Sequence, residues 1–116
     1  MGDVKIYHNP RCSKSRQALE LIKSNGIEPE IIFYLEGKLK NHDLTNILQL
    51  LKKRPIEIIR KNEAEFKEHF HDADNLSEEK LIDLMCHYPK VIERPIVISK
   101  GQAIIGRPPE KVFSIL

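Results

Sequence analysis

Hydrophobic and polar positions change period several times along the chain. Val4-Lys5-Ile6-Tyr7-His8 alternates and is rich in β-formers, which predicts a first strand. Asn9-Pro10-Arg11 then reads as a turn, because proline disfavours helix at Asn9 and suits a helix-initiating position. Residues 13–24 carry Ala18, Leu19, Leu21 and Ile22 at helical spacing, and Asn25-Gly26 supplies a helix stop. A second strand is predicted over residues 29–35. Strand, helix and strand in so short a stretch make a βαβ unit, with parallel strands and a right-handed crossover.

The middle of the chain is helical in pattern. Asn41 can cap a helix with Leu44, Ile47, Leu48 and Leu51 on its apolar side. Pro55 begins a short helix carrying Ile56, Ile58 and Ile59, and a further amphipathic piece spans residues 63–70. Ser77 caps another helix, with Leu81, Ile82, Leu84 and Met85 facing inward and Glu78 and Glu79 suited to its first turn. Residues 95–98 and 102–105 then flank Lys100-Gly101 as a hairpin. Pro108-Pro109 starts a terminal helix through Val112, Phe113, Ile115 and Leu116. The order is β-α-β, a helical insert, then β-β-α. This predicts one α/β domain over residues 1–116, with a four-stranded mixed sheet and a helical insert between strands 2 and 3. A cysteine at the first helix's N-terminus, and a proline opening the hairpin, match the layout of thioredoxin-like folds.

Composition narrows the partners. The chain has 116 residues, with 19 Lys plus Arg against 17 Asp plus Glu, a net charge of +2. That balance gives no bulk signal for nucleic-acid binding. The longest apolar run, Ile31-Ile32-Phe33-Tyr34-Leu35, falls far short of the roughly 20 residues that a membrane helix needs. The first residues lack the apolar core of a signal peptide. Two cysteines, Cys12 and Cys86, make no disulfide framework or zinc knuckle. A reducing cytoplasm is the expected compartment, one in which a thiol can serve as a reagent.

The chemistry concentrates in His8-Asn9-Pro10-Arg11-Cys12-Ser13-Lys14-Ser15-Arg16. Cys12 falls beside the unpaired N–H groups at a helix start, where the dipole favours an anion. Arg11, Lys14 and Arg16 add positive charge, so the Cys12 thiol is expected below its ordinary pKa of about 8.5. The hydroxyl and amide of Ser15 are placed to donate to the sulfur, and His8 to tune or orient it. Ser15 occupies the position of the second cysteine in a CxxC pair, so a dithiol site is excluded. Ala18 occupies the arginine position of a Cys-x5-Arg phosphatase loop, which excludes that chemistry too. Cys12 therefore acts as a single thiol, with anion-binding arginines supplied from distant segments. Arg60 follows Ile58-Ile59, Arg94 precedes Pro95 at a strand entrance, and Arg107 sits in a Gly-Arg-Pro-Pro turn. Their guanidinium forks suit a tetrahedral oxyanion.

These blocks, with Tyr34-Leu35-Glu36, Arg60-Lys61-Asn62, Leu81-Ile82-Asp83, Glu93-Arg94-Pro95-Ile96-Val97 and Arg107-Pro108 before Glu110, resemble the glutaredoxin-coupled arsenate reductases of the ArsC family over nearly the whole chain. The resemblance implies Cys12 as nucleophile, Arg60, Arg94 and Arg107 as oxyanion ligands, and His8 and Ser15 as support for the thiolate. It also implies a cis Pro95, arsenate as substrate, glutathione as co-substrate and glutaredoxin as partner, with no bound cofactor. Two other readings remain: a monothiol reductase of another oxyanion or of a glutathione mixed disulfide, and a non-enzymatic regulator of the Spx type. Cys86 is read as a packing residue, with a resolving thiol as the alternative. The five histidines are too scattered to form a metal site.

Overall fold

The computed structural model describes residues 4–116, and the chain divides into two compact units. One comprises the chain as far as Tyr34 together with Arg94–Leu116, and the other is Leu35–Glu93.

The first unit holds a four-stranded mixed sheet. Strands β1 (Lys5–Tyr7), β2 (Glu30–Ile32), β3 (Ile96–Ser99) and β4 (Gln102–Ile105) lie in the order β2-β1-β3-β4. The β1–β2 pair is parallel, and the β1–β3 and β3–β4 pairs are antiparallel. Ile6 faces Ile31 on one side and Val97 on the other, so β1 is central. Helix α1 (Ser13–Ser24) makes the crossover from β1 to β2. Its Ala18 and Ile22 are fully buried against Val4, Ile6, Val97, Val112 and Ile115. Burial of each larger side chain contributes about 1.5–3 kcal/mol. The hairpin forms where expected, with Lys100 (φ 55°) and Gly101 (φ 73°) both in the left-handed region that its tight turn requires. This is a thioredoxin-like sheet.

Two expectations are corrected in this unit. β2 ends at Ile32, because Tyr34–Glu36 winds into a 3₁₀ turn. The terminal helix is a 3₁₀ segment, Pro109–Ser114. Its apolar spacing explains this. Val112 and Ile115 are three apart and eclipse each other at three residues per turn, so both are buried while Phe113 turns outward, 45% exposed.

The second unit is the helical insert. It contains α2 (Asn41–Leu51), α3 (Ala64–His69) and α4 (Glu78–His87), with 3₁₀ turns at Pro55–Ile58, Ala73–Asn75 and Pro89–Val91. Lys40, not Asn41, is the N-cap of α2, and its N–H donates to the Asp43 carboxylate at 3.0 Å. Ser77 caps α4 as expected, accepting from Lys80 N–H at 3.1 Å. Leu44, Ile47, Leu48, Leu81 and Met85 are buried. An antiparallel bridge pairs Ile59 with Ile92. Among the described residues, no helix is long and apolar enough to cross a membrane.

Candidate active site

The loop after β1 is folded by its own polar groups. His8 N–H donates to Ile32 C=O at 2.9 Å, which continues the parallel pairing one residue past Tyr7. The Asn9 side-chain oxygen accepts from Arg11 N–H at 3.0 Å, and the Asn9 carbonyl accepts from Cys12 N–H at 3.0 Å. This Asx-type turn delivers Cys12 in an extended conformation (φ −99°, ψ 123°) as the N-cap of α1, where Arg16 N–H donates to its carbonyl. Its sulfur therefore faces the amides that an α-helix leaves unpaired at its start.

Burial alone would push the Cys12 thiol up, but the balance of forces brings it below its ordinary value. The Ser15 N–H is the leading stabiliser, followed by the Arg94 guanidinium through a hydrogen bond and its charge, and then the Lys14 N–H. The source of the charge corrects an expectation. It comes from Arg94, far along the chain, rather than from the side chains of Arg11, Lys14 and Arg16. Arg16 is exposed, donates to Pro10 C=O at 2.9 Å, and acts electrostatically on His8 instead.

Arg94 and Arg107 both reach the cysteine's neighbourhood. Arg107 Nη1 lies 4.0 Å from Cys12 Sγ and donates to the Arg94 carbonyl at 3.2 Å. The Arg94–Pro95 peptide is cis, as the resemblance implies, and Arg107–Pro108 is cis as well. Two guanidinium groups and a helix N-terminus thus surround one half-buried sulfur.

His8 and Ser15 act behind the sulfur. Ser15 is fully buried, and its hydroxyl accepts from Asn9 N–H at 3.0 Å and shares a 2.6 Å hydrogen bond with His8 Nδ1. The hydroxyl is thereby taken up by the loop, so the Ser15 amide is the group that serves the thiolate. His8 is 4% exposed, with the Phe33 ring packed edgewise at 5.9 Å. Burial, then Arg16 and Lys23, lower its pKa, which favours the neutral ring.

Arg60 belongs to the second unit. Its backbone N–H donates to Val91 C=O at 2.6 Å beside the Ile59–Ile92 bridge. Its guanidinium meets Glu63 at 2.5 Å and Glu93 at 4.0 Å. Cys86, on α4, is half-buried, and its thiol is pushed up to about 11, chiefly by burial and then by Asp83 and Asp43. That suits the packing reading, since a protonated thiol is a poor nucleophile. The Asn9-Pro10-Arg11 turn read from the sequence is present, with the Asn9 side chain closing it. The contacts of Glu63 and Glu93 with Arg60 were not anticipated.

A thioredoxin-like fold with one cysteine capping its first helix, and arginines converging on the sulfur, defines a single-thiol member of that fold class. The chain belongs to the ArsC family, whose pattern matches residues 7–115. It is 49% identical over 114 residues to the uncharacterized protein YfgD of Escherichia coli strain K12, covering 97% of this chain and 96% of that protein. It is 39% identical over 121 residues to an arsenate reductase of Neisseria meningitidis, covering both chains in full. The solved arsenate reductase of Vibrio cholerae superposes with a TM-score of 0.93 at 43% identity, covering 99% of this chain and 98% of that one.

Proposed function

We propose that this protein is an arsenate reductase, with Cys12 as its nucleophile and glutathione and glutaredoxin as its reductants. The observation that carries the reading is the Cys12 sulfur itself, held below its ordinary pKa by helix amides and Arg94, with Arg107 4.0 Å away. A site that stabilises an anionic sulfur also attracts an anionic substrate. Relatives named as arsenate reductases, matched over the full length of this chain, support the choice of oxyanion.

In the first step the thiolate attacks arsenic. A sulfur–arsenic bond forms, one arsenate oxygen leaves as water after taking up two protons, and arsenic stays at oxidation state five. Arg94 and Arg107 balance the oxyanion charge as it rearranges, and a donor of this kind is worth about 3–4 kcal/mol. Glutathione thiolate then attacks the Cys12 sulfur of the arseno-enzyme. The sulfur–arsenic electron pair stays with arsenic, which leaves as arsenite, and Cys12 remains as a disulfide with glutathione. Glutaredoxin reduces that disulfide and returns the thiolate. Ser15 in place of a second cysteine favours this use of external thiols. His8 and Ser15 hold the loop, and the family resemblance assigns Arg60 to the oxyanion as well. A reducing cytoplasm suits two free thiols.

The test is arsenite release with glutathione and glutaredoxin, omitting each reductant in turn. Release should require both reductants and vanish in Cys12→Ser. Activity retained in Cys12→Ser refutes the assignment, and reduction of another oxyanion or a glutathionylated peptide in preference to arsenate moves the function to the other monothiol reading.

A further inference from the structure

Gly106 follows β4 and immediately precedes Arg107. Its N–H donates to the Pro95 carbonyl at 2.9 Å, and Arg107 N–H donates to the Ile105 carbonyl at 2.9 Å. The Gly106–Pro95 bond continues the β3–β4 pairing one step beyond both strands, between the segments that carry Arg94 and Arg107, and the Arg107–Ile105 bond is a local turn that follows it. The backbone of Gly106 lies outside the left-handed region, so its conformation does not require glycine. Space does. A methyl group there would stand 3.1 Å from Pro95 Cγ, 3.2 Å from Val112 Cγ1 and 3.5 Å from Ala18 Cβ. All three walls are buried, and none is the free end of a flexible chain. Something must give by a few tenths of an ångström, and one of the two closest walls is the residue after Arg94. Arg107 Nη1 at 4.0 Å is already at the outer reach of an N–H···S contact, so the arrangement has little slack.

We propose that Gly106 is a positioning residue of the reductase. Its bare α-carbon lets the 106–107 backbone close onto Pro95, and that spacing sets how far the Arg94 and Arg107 guanidinium groups stand from the Cys12 sulfur. The inference rests on the reading of Cys12 as nucleophile and of the two arginines as its anion ligands.

The experiment compares wild type, Gly106→Ala and the double variant Gly106→Ala/Val112→Ala. It measures the pH profile of Cys12 alkylation by iodoacetamide, KM and kcat for arsenate, and the thermal midpoint. In Gly106→Ala the alkylation profile should move to higher pH, by less than loss of the Arg94 charge would move it, with a rate near pH 6 about twofold lower as thiolate is lost. Arsenate KM should rise about tenfold, with kcat affected less, because binding geometry is what has changed. The double variant removes the Val112 wall and leaves Pro95, so it should retain the alkylation shift whatever happens to its stability. A folded Gly106→Ala with the wild-type profile and KM overturns the inference. So does a double variant whose wild-type profile returns together with its stability, or failure of both variants to fold, which would make Gly106 a residue of the fold alone. An inert Cys12 in the wild type overturns the proposed function and this inference together, whereas a reactive wild type with an indifferent Gly106→Ala overturns this inference only.

Discussion

Replacing Arg94 by methionine keeps a long apolar stem while removing the hydrogen bond and the charge that the Cys12 sulfur receives. A unit charge about 4 Å from a half-exposed sulfur, at an effective dielectric near 40, is worth about 2 kcal/mol. Solvent and salt reduce this to about 1.4 kcal/mol, one decade in thiolate population. Loss of a cation raises a thiol's pKa, so the midpoint of the alkylation profile should move up by about one pH unit. A more basic thiolate is also a better nucleophile, by about threefold per decade. Below the midpoint the net rate should therefore fall only about three- to fourfold, while the high-pH plateau rises about threefold. The two profiles should cross. Iodoacetamide alkylation followed across pH measures this directly, since Cys86, pushed up to about 11, stays silent over the useful range. Arg107→Met should move the midpoint less, because Arg94 is the side chain whose hydrogen bond and charge lower the Cys12 thiol, while Arg107 Nη1 is also held by the Arg94 carbonyl at 3.2 Å. A profile for Arg94→Met that superposes on wild type, or one that is lowered equally at every pH, would refute the electrostatic argument.

Ser15→Ala should strip partners from the buried His8 ring and Asn9 amide and cost about 1–3 kcal/mol in urea unfolding, while moving the Cys12 midpoint less than Arg94→Met does, because the Ser15 N–H survives. His8 binds its proton more weakly in the folded chain than in the unfolded one, so folding stability should be fully present above about pH 6.5 and decline as pH falls through the lowered value. Thermal midpoints of His8→Gln should show a flatter acid slope, and an unchanged slope would rule out His8 as its source. Cys86→Ser should leave arsenite release within about twofold of wild type while lowering the thermal midpoint, as befits a packing residue; a greater than tenfold loss of turnover in a folded variant would make it a redox participant.

The sheet was legible because its strands and the βαβ helix obey local periodicities, and because Lys100-Gly101 fits only one kind of turn. The segment after Pro109 reads as an α-helix because the spacing of three between Val112 and Ile115 serves a 3₁₀ turn as well as an α-helix, and only the packing of those two side chains decides between them. Cys12 was legible because a helix N-terminus is a local feature. The cation acting on it was not. Arg11, Lys14 and Arg16 are its neighbours in sequence, yet Arg94 supplies the charge, since side-chain direction from a helix start cannot be read from spacing. Glu63 and Glu93 stayed hidden for the same reason: one follows Arg60 in sequence, and the other meets it through the Ile59–Ile92 bridge.

The unit that carries Cys12 is assembled from the two ends of the chain, with Leu35–Glu93 interposed. During synthesis the cysteine therefore leaves the ribosome several seconds ahead of Arg94 and Arg107. Central strand β1 has only β2 for a neighbour until β3 has been made. The helix amides can serve that sulfur as soon as α1 forms, whereas the charge of Arg94 joins them only once the second stretch of the unit, Arg94–Leu116, has been made.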